Sequence, residues 1–436
     1  MFELLELEEK EYEKFVKNNK YKSHFLQSHA WGEFAQKKKR VKPYYLGLKK
    51  NNKLVATALL LQKKLPLGYS YFYSPRGFVL NYEDEEVFKV MTEKVVEFTK
   101  KKKSIFVKID PDIIIKKYNY LDEEIKLNYS WENIFKMIKE SGFKHLGFTK
   151  NFETMQPRYT FRIDLTKDLD ELKEHFSKTT KQRINKAIKL GCEVKIGTEE
   201  DLDEFCRLMM VTEERKDFVS YDSSYYKTLY KMYNENNKMT LFLGKIYPAK
   251  ILKELNKNKK EVEESVKDLP TENLSKSAKN KLKEAERRLE SINNDIKKYT
   301  EVKEKYGDEL TLNAHMIIEY GDKAWVLYAG NENILTETYA NYYTYQTHLE
   351  YCKEQGYKIY DQFGTIGDLR KDNPRMGLHE FKKKFGGDYV EFIGEFDYIT
   401  NHFMYFVFTK LVPLYRKVIK NKSKKAITNE VNGNKW

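Results

Sequence analysis

Two segments, MTLFLGKIY (239–247) and ELTLNAHMIIEY (309–320), read as neighbouring β-strands of one domain, yet the stretch between them has the period of a helix. Leu282, Ala285, Leu289, Ile292, Ile296, Tyr299, Lys303 and Tyr306 recur at alternating steps of three and four. That is a heptad seam, with charge on the other positions. A weaker seam precedes it: Ile251, Leu255, Asn258, Val262, Ser265 and Leu269. Between the seams, Pro270 cannot continue a helix, and Thr271 or Ser275 can cap the next one. The pattern predicts an antiparallel helical-hairpin (coiled-coil) arm over 248–307, projecting roughly 35–50 Å at 1.5 Å per residue. A solubilising appendage, a dimer contact and an arm that touches a large ligand all fit it.

With the arm set aside, the chain repeats itself. EKEYEKFVKN and WGEFAQKKK are helical, and KPYYLGLKKNNKLVATALLLQKK is strand–turn–strand. YSYFYSPRG is a strand, EEVFKVMTEKVVEFTKKKK an amphipathic helix and SIFVKIDP a buried strand. The second half repeats the order from CEVKIGTEEDLDEFCRLM, where Thr198 and Asp201 form a capping-box pattern, to YKIYDQFG. The expected fold class is α/β (α+β mixed sheets), two subdomains with helices on the sheet faces. The boundaries are 1–150 for the first, 151–247 with 308–397 for the second, and 248–307 for the arm. A helix over 398–420 packs back on the body, followed by a disordered basic and polar tail, 421–436.

This order of elements resembles the acyl-CoA N-acyltransferase-like (GNAT-like) fold used twice. Enzymes of that fold grip pyrophosphate with a Gly-rich loop opening a helix, and neither such a loop nor GxxxxGK[ST] occurs here. An acyl donor would therefore arrive already activated, with no cofactor. The eight histidines show no ligand spacing, so no metal is expected, and His24, His29 and His379 read as packing or hydrogen-bonding residues. The three cysteines, Cys192, Cys206 and Cys352, have neither pairing nor metal spacing, which fits a reducing compartment. The acidic N-terminus lacks the apolar core of a signal peptide, and no run of about 18 apolar residues could span a bilayer.

A net charge of +14 favours polyanionic partners. The segment SKTTKQRINKAIKLG carries Lys178, Lys181, Lys186 and Lys189 on roughly one side of a helix, with Arg183 and Arg162 nearby. This is the pattern of a phosphate track for RNA, or of a solvated face. Asp110 and Asp361 close matching strands, where a sheet edge opens onto a crevice. They read as site carboxylates or as turn formers.

Six segments in order, with the arm in place, resemble the Fem family of peptidoglycan-bridge aminoacyltransferases. They are HFLQSHAWGEF (24–34), YFYSPRGFVLNYE (71–83), FVKIDP (106–111), QPRYTFRIDL (156–165), WVLYAG (325–330) and EFKKKFGGDYVEFIGEFD (380–397). The resemblance implies transfer of an amino acid from aminoacyl-tRNA to an amine of lipid II or of a nucleotide-linked muropeptide precursor. It implies work at the inner face of the cytoplasmic membrane, alone, as a homodimer or beside related transferases. The reactive ester needs no ATP, but the attacking amine must lose a proton, which a carboxylate, a tyrosine or the substrate could accept. By resemblance, Asp110, Lys382, Tyr328 and Asp361 are catalytic candidates, and Arg76, Arg158 and Phe381 line the substrate site. The family's phosphate-binding lysine falls at Ala35 and its arginine at Tyr221. Lys37, Lys38 and Arg215 are the substitutes within reach. Rival expectations are a protein or other lipid-linked amine as acceptor, or a non-catalytic RNA-binding protein on the same fold.

Overall fold

In the computed structural model of the chain, the described residues are 1–18, 23–216, 221–234, 238–269 and 275–412. The elements run in the order β1 (Phe2–Glu6), α1 (Glu9–Asn18), α2 (His29–Lys39), β2 (Lys42–Lys50), β3 (Lys53–Lys64), β4 (Ser70–Ser74), α3 (Glu85–Lys100), β5 (Ser104–Ile109) and β6 (Ile114–Tyr118). Then come α4 (Trp131–Glu140), β7 (Phe143–His145), β8 (Tyr159–Asp164), α5 (Leu169–Glu174), α6 (Lys178–Lys189), β9 (Glu193–Ile196), α7 (Leu202–Lys216), α8 (Ser223–Asn234) and β10 (Met239–Ile246). After the arm helices α9 (Pro248–Lys267) and α10 (Lys276–Tyr306) follow β11 (Leu310–Tyr320), β12 (Lys323–Asn331), α11 (Ala340–Glu354), β13 (Ile359–Asp361), α12 (Met376–Lys383), β14 (Asp388–Phe392), β15 (Phe396–Ile399) and α13 (His402–Phe406).

The strands form two mixed sheets. The first has the order β1-β2-β3-β4-β5-β15-β7, the second β6-β14-β8-β13-β12-β11-β10-β9. In each, an antiparallel meander meets one parallel pair, β4 with β5 and β12 with β13. The halves exchange strands. β6 lies in the first 150 residues yet pairs with β14 at the edge of the second sheet. β15 begins inside the span assigned to the second half yet pairs with both β5 and β7 in the first sheet. Residues 114–118 and 396–397 therefore sit on the wrong side of the expected boundaries. Strand pairing is a non-local choice, and neither segment carries a local mark of its partner.

One buried cluster spans both halves, joining Tyr12, Phe25, Trp31 and Phe34 to Phe205, Tyr226, Leu241 and Trp325. The helix signals act as written. Thr198 and Asp201 form the reciprocal capping box, and Gly356 at φ 79° follows the end of α11.

In the arm, α9 and α10 pack against each other, and Ser275 caps α10 by accepting from the Ala278 N–H. Pro270 and Thr271 lie outside the described residues. Asn258 and Ser265 are exposed, while Lys259 and Val266 take the inward positions. On α10 the seam passes from Tyr299 to Val302, leaving Lys303 and Tyr306 exposed. On α10 the seam shifts because the base of the arm packs sideways. Ile251, Tyr299 and Val302 join Ala187, Cys192, Leu310 and Leu335 in one core. At the other end of the chain, Tyr405 and Phe408 lie 5.5 and 5.9 Å from the Phe106 ring. Residues 413–436, including the expected tail 421–436, lie outside the described residues.

Candidate active site at the seam of the two halves

Strand β8 alternates. Tyr159, Phe161 and Ile163 fall on one face, Thr160 and Arg162 on the other, and all but Arg162 are buried. Arg162 reaches across the seam. Its Nη1 and Nη2 donate to the Asp112 carboxylate at 3.2 and 2.9 Å, and its Nε donates to Asp361 Oδ2 at 2.8 Å. Asp112 follows β5 in the first half, and Asp361 ends β13 in the second. The Thr160 hydroxyl and the Phe363 N–H donate to Asp361 Oδ1, the latter at 2.8 Å. Asp361 thus makes a turn and an ion pair at once. The two buried carboxylates push the Arg162 guanidinium further up from its already high range, against the opposing effect of burial.

Asp110, at the end of β5, is buried, at 2 % exposure. Its Oδ1 accepts from the Arg76 N–H at 2.7 Å and its Oδ2 from the Tyr73 hydroxyl at 3.0 Å. Burial pushes its carboxyl up to about 7, against the pull of Arg76. It is more than a turn former, because both partners lie on another strand and its loop. Arg76 itself sits at φ 53°, a left-handed conformation rare outside glycine. Its Nη2 donates to the Pro157 carbonyl at 2.7 Å across the seam, and its buried Nε has no partner among the described residues. The guanidiniums of Arg76 and Arg162 lie 4.4 and 4.8 Å from the Phe392 ring.

These groups close on a narrow crevice of about 10 Å³, room for about one water, lined by His24, Arg76, Thr160, Arg162, Asp361, Phe363, Gly364 and Phe392, among others. Burial holds His24 well below the usual imidazole range, so it is neutral, and its Nδ1 accepts from the Leu26 N–H.

Lys382 lies one layer behind this pocket. It is buried, and its ammonium donates to the carbonyls of Gln362, Phe363 and Gly364 at 2.7, 2.8 and 2.8 Å. An ammonium has three donors, so all are engaged by the loop that forms the pocket wall. Lys382, expected near the reacting group, here turns its ammonium onto this wall. Asp110 holds the opposite wall through Arg76 in the same way.

Arg158 is also structural. Only 1 % exposed, it donates to the Phe392 and Thr149 carbonyls and to Glu391. Phe381 packs into the second half's core against Tyr342 and Tyr345, each 4.9 Å away.

Tyr328 belongs to a separate aromatic wall. Its hydroxyl is 3.1 Å from that of Tyr225, and Tyr221 stacks on Tyr225 with ring centres 3.7 Å apart. Ala35 is wholly buried beneath this wall. Lys37 is exposed, and the Lys38 ammonium donates to the Ser224 hydroxyl. The lysine that points inward is the next one, Lys39, 4.6 Å from the Trp31 ring, and burial lowers it to about 8. The side chain of Arg215 lies outside the described residues.

On α6, Thr180, Ile184 and Ala187 are buried while Lys178, Lys181, Lys186 and Lys189 are exposed. Arg183 leaves that face, stacking 5.0 Å from Tyr339 and from Tyr342. Arg162, expected near this helix, lies in the seam instead. Sequence reasoning missed Asp112, Thr160 and the seam role of Arg162. The signal was present, since Thr160 and Arg162 put polar groups on one face of a strand whose other face is apolar.

The FemAB family model matches residues 7–412. The chain belongs to the FemAB family. It is 30% identical over 427 residues to a "Lipid II:glycine glycyltransferase" of Staphylococcus aureus (strain MRSA252), covering 95% of this chain and 97% of that protein. Another protein of that name, from Staphylococcus aureus, is 30% identical over 422 residues, covering 93% and 97%. Among solved structures, the crystal structure of FemX superposes with a TM-score of 0.75 at 28% identity, covering 92% of this chain and 98% of that one. This FemAB member therefore has the FemX fold along almost its whole length.

Proposed function

We propose that this FemAB protein is an aminoacyltransferase that adds an amino acid, of the glycine, alanine or serine class, to an amine of lipid II or a related peptidoglycan precursor. The observation that carries the reading is likeness along nearly the whole length of proteins named for glycyl transfer to lipid II. Aminoacyl-tRNA is the proposed donor, because its ester is already activated and the sequence offers no nucleotide loop with which to activate another.

The seam pocket is the proposed reaction site. Two guanidiniums, Arg76 and Arg162, flank one aromatic ring there, and the partnerless Arg76 Nε offers a donor to a developing oxyanion or a substrate carbonyl. Asp110 and Lys382 are positioning residues, each fixing one wall. The Thr160–Asp361 pair lies beside the pocket and supplies a carboxylate and a hydroxyl for orienting the incoming amine. The α6 lysines are the proposed tRNA contact. The aromatic wall at Tyr221, Tyr225 and Tyr328, edged by Lys38, takes the place of a phosphate clamp in holding the acceptor.

The test is incubation of the protein with radiolabelled glycyl-tRNA and purified lipid II, repeated with a panel of other aminoacyl-tRNAs. Label should move into the lipid-soluble product with at least one of them. No transfer from any charged tRNA would sink the reading.

A further inference from the structure

Among the described residues, one end of the first sheet carries large apolar side chains that stand exposed, set among lysines. The hairpin between β3 and β4 turns at Leu65–Gly68, and Leu67 at its tip is 85 % exposed. Leu67 holds φ 60°, where a glycine would be relaxed. A bulky residue kept there without packing points to a use outside the fold. Beside it, the Ser70 N–H and hydroxyl donate to the carbonyls of Lys103 and Lys102, which places the α3–β5 turn against the hairpin. The C-terminal helix begins at the same place. The Thr400 and Asn401 N–H groups donate to the Ile105 carbonyl, and Phe408 lies 5.5 Å from the Tyr71 ring. While Tyr405 and Phe408 face the sheet, Phe403 is 73 % exposed, and Phe406 and Leu411 are exposed as well.

The charge here has one sign. Lys64, Lys100, Lys101, Lys103 and Lys410 are exposed. The stretches 61–82, 98–107 and 398–429 contain no Asp or Glu. Beyond Val412 the sequence adds Arg416, Lys417, Lys420, Lys422, Lys424 and Lys425. No helix among the described residues is long and apolar enough to cross a membrane. A short apolar face ringed by cations is the composition of a segment that lies in a bilayer interface.

We propose that this end of the molecule docks on an anionic lipid bilayer. Leu67, Phe403, Phe406 and Leu411 enter the boundary between headgroups and acyl chains, while Lys64, Lys101, Lys103 and Lys410 face lipid phosphates. The inference stands on these side chains and not on the transfer reaction, so vesicles without any acceptor test it.

The protein is sedimented with vesicles of phosphatidylcholine alone and of phosphatidylcholine mixed with phosphatidylglycerol. Binding is expected only to the mixed vesicles, and it should weaken with salt. The pair Phe403→Glu with Phe406→Glu should lower partitioning more than roughly tenfold, the scale of two lost apolar insertions. Lys101→Glu with Lys103→Glu should cost roughly fivefold per charge. Leu67→Ser, at a loop tip that nothing packs on, guards against misfolding of the helix variants, and melting temperatures are read in parallel. Equal binding to both vesicle types would overturn the proposal. So would binding unchanged in all three variants, or variants that alter self-association by light scattering while vesicle binding is absent.

Discussion

The seam crevice and the α6 face are both charged, and they use charge in opposite ways. At the seam, Arg162, Asp112, Asp361 and Lys382 are buried or nearly so, and each is held by named partners. On α6, Lys178, Lys186 and Lys189 stand in solvent, with the neighbouring helix surface apolar and packed. Buried charges are costly unless paired, and removing one partner strands the other. Exposed charges cost the fold almost nothing and are free to meet a polyanion. The lesson is that charge at the seam fixes geometry, whereas charge on α6 leaves the fold's geometry untouched.

The comparison breaks most visibly at Arg162. Arg162→Met should destabilise the fold by about 3–5 kcal/mol, because Asp112 and Asp361 are left buried without their cation. Denaturant unfolding checks it, and a loss under about 1 kcal/mol would mean that the seam charges are solvated after all. Lys382→Ala comes next. Three loop carbonyls lose their donor, an expected cost of about 2–3 kcal/mol, with single-turnover transfer falling by about two to three decades as the wall relaxes. Lys382→Arg should not restore it, since a planar fork does not match three carbonyls gathered round one ammonium. Rescue by arginine would instead favour a simple charge role.

Asp110 sharpens the comparison through pH. Its folded-state carboxyl is raised to about 7 by burial. The stability it contributes is full below its unfolded range near pH 4 and is lost as pH rises through 7, by up to about 1.4 kcal/mol per pH unit. Asp110→Asn should therefore flatten melting temperature against pH between about 4 and 7. An unchanged profile would show that Asp110 is ionised throughout.

The smallest effect on stability belongs to α6. Lys178→Glu with Lys189→Glu should shift unfolding by less than about 0.5 kcal/mol. It should also weaken tRNA binding and flatten its dependence on salt. Arg183 is the wrong residue for that test, because it is packed on Tyr339 and Tyr342. Equal tRNA affinity at two salt concentrations would move the RNA contact elsewhere.

What was legible in the sequence was periodic and local. The arm, its Ser275 cap, the Thr198 capping box and the matching strands closed by Asp110 and Asp361 could all be read from spacing. Lys303 and Tyr306 were misjudged because a seam read by strict heptads cannot see the base of the arm turn into the core, where Val302 packs instead. Lys382 was illegible in a different way. Lys382 was singled out only by resemblance, and only the fold reveals three carbonyls converging on this first lysine of the run KKK. The strand exchange was invisible for the same reason, since nothing in IIKKY or FDYI states which sheet will accept it.

That exchange makes each half the other's missing part. A chain cut at residue 150 would leave β5 and β7 with bare edges where β15 belongs, and the remainder would lose β6 from β14. Open strand edges invite other chains, so half-proteins of this sequence would be sticky intermediates, not modules. The cross-laced strands also act as a double stitch. The two walls of the crevice cannot swing apart like jaws without unpicking both ladders, so the width of the seam is sewn in when the chain folds.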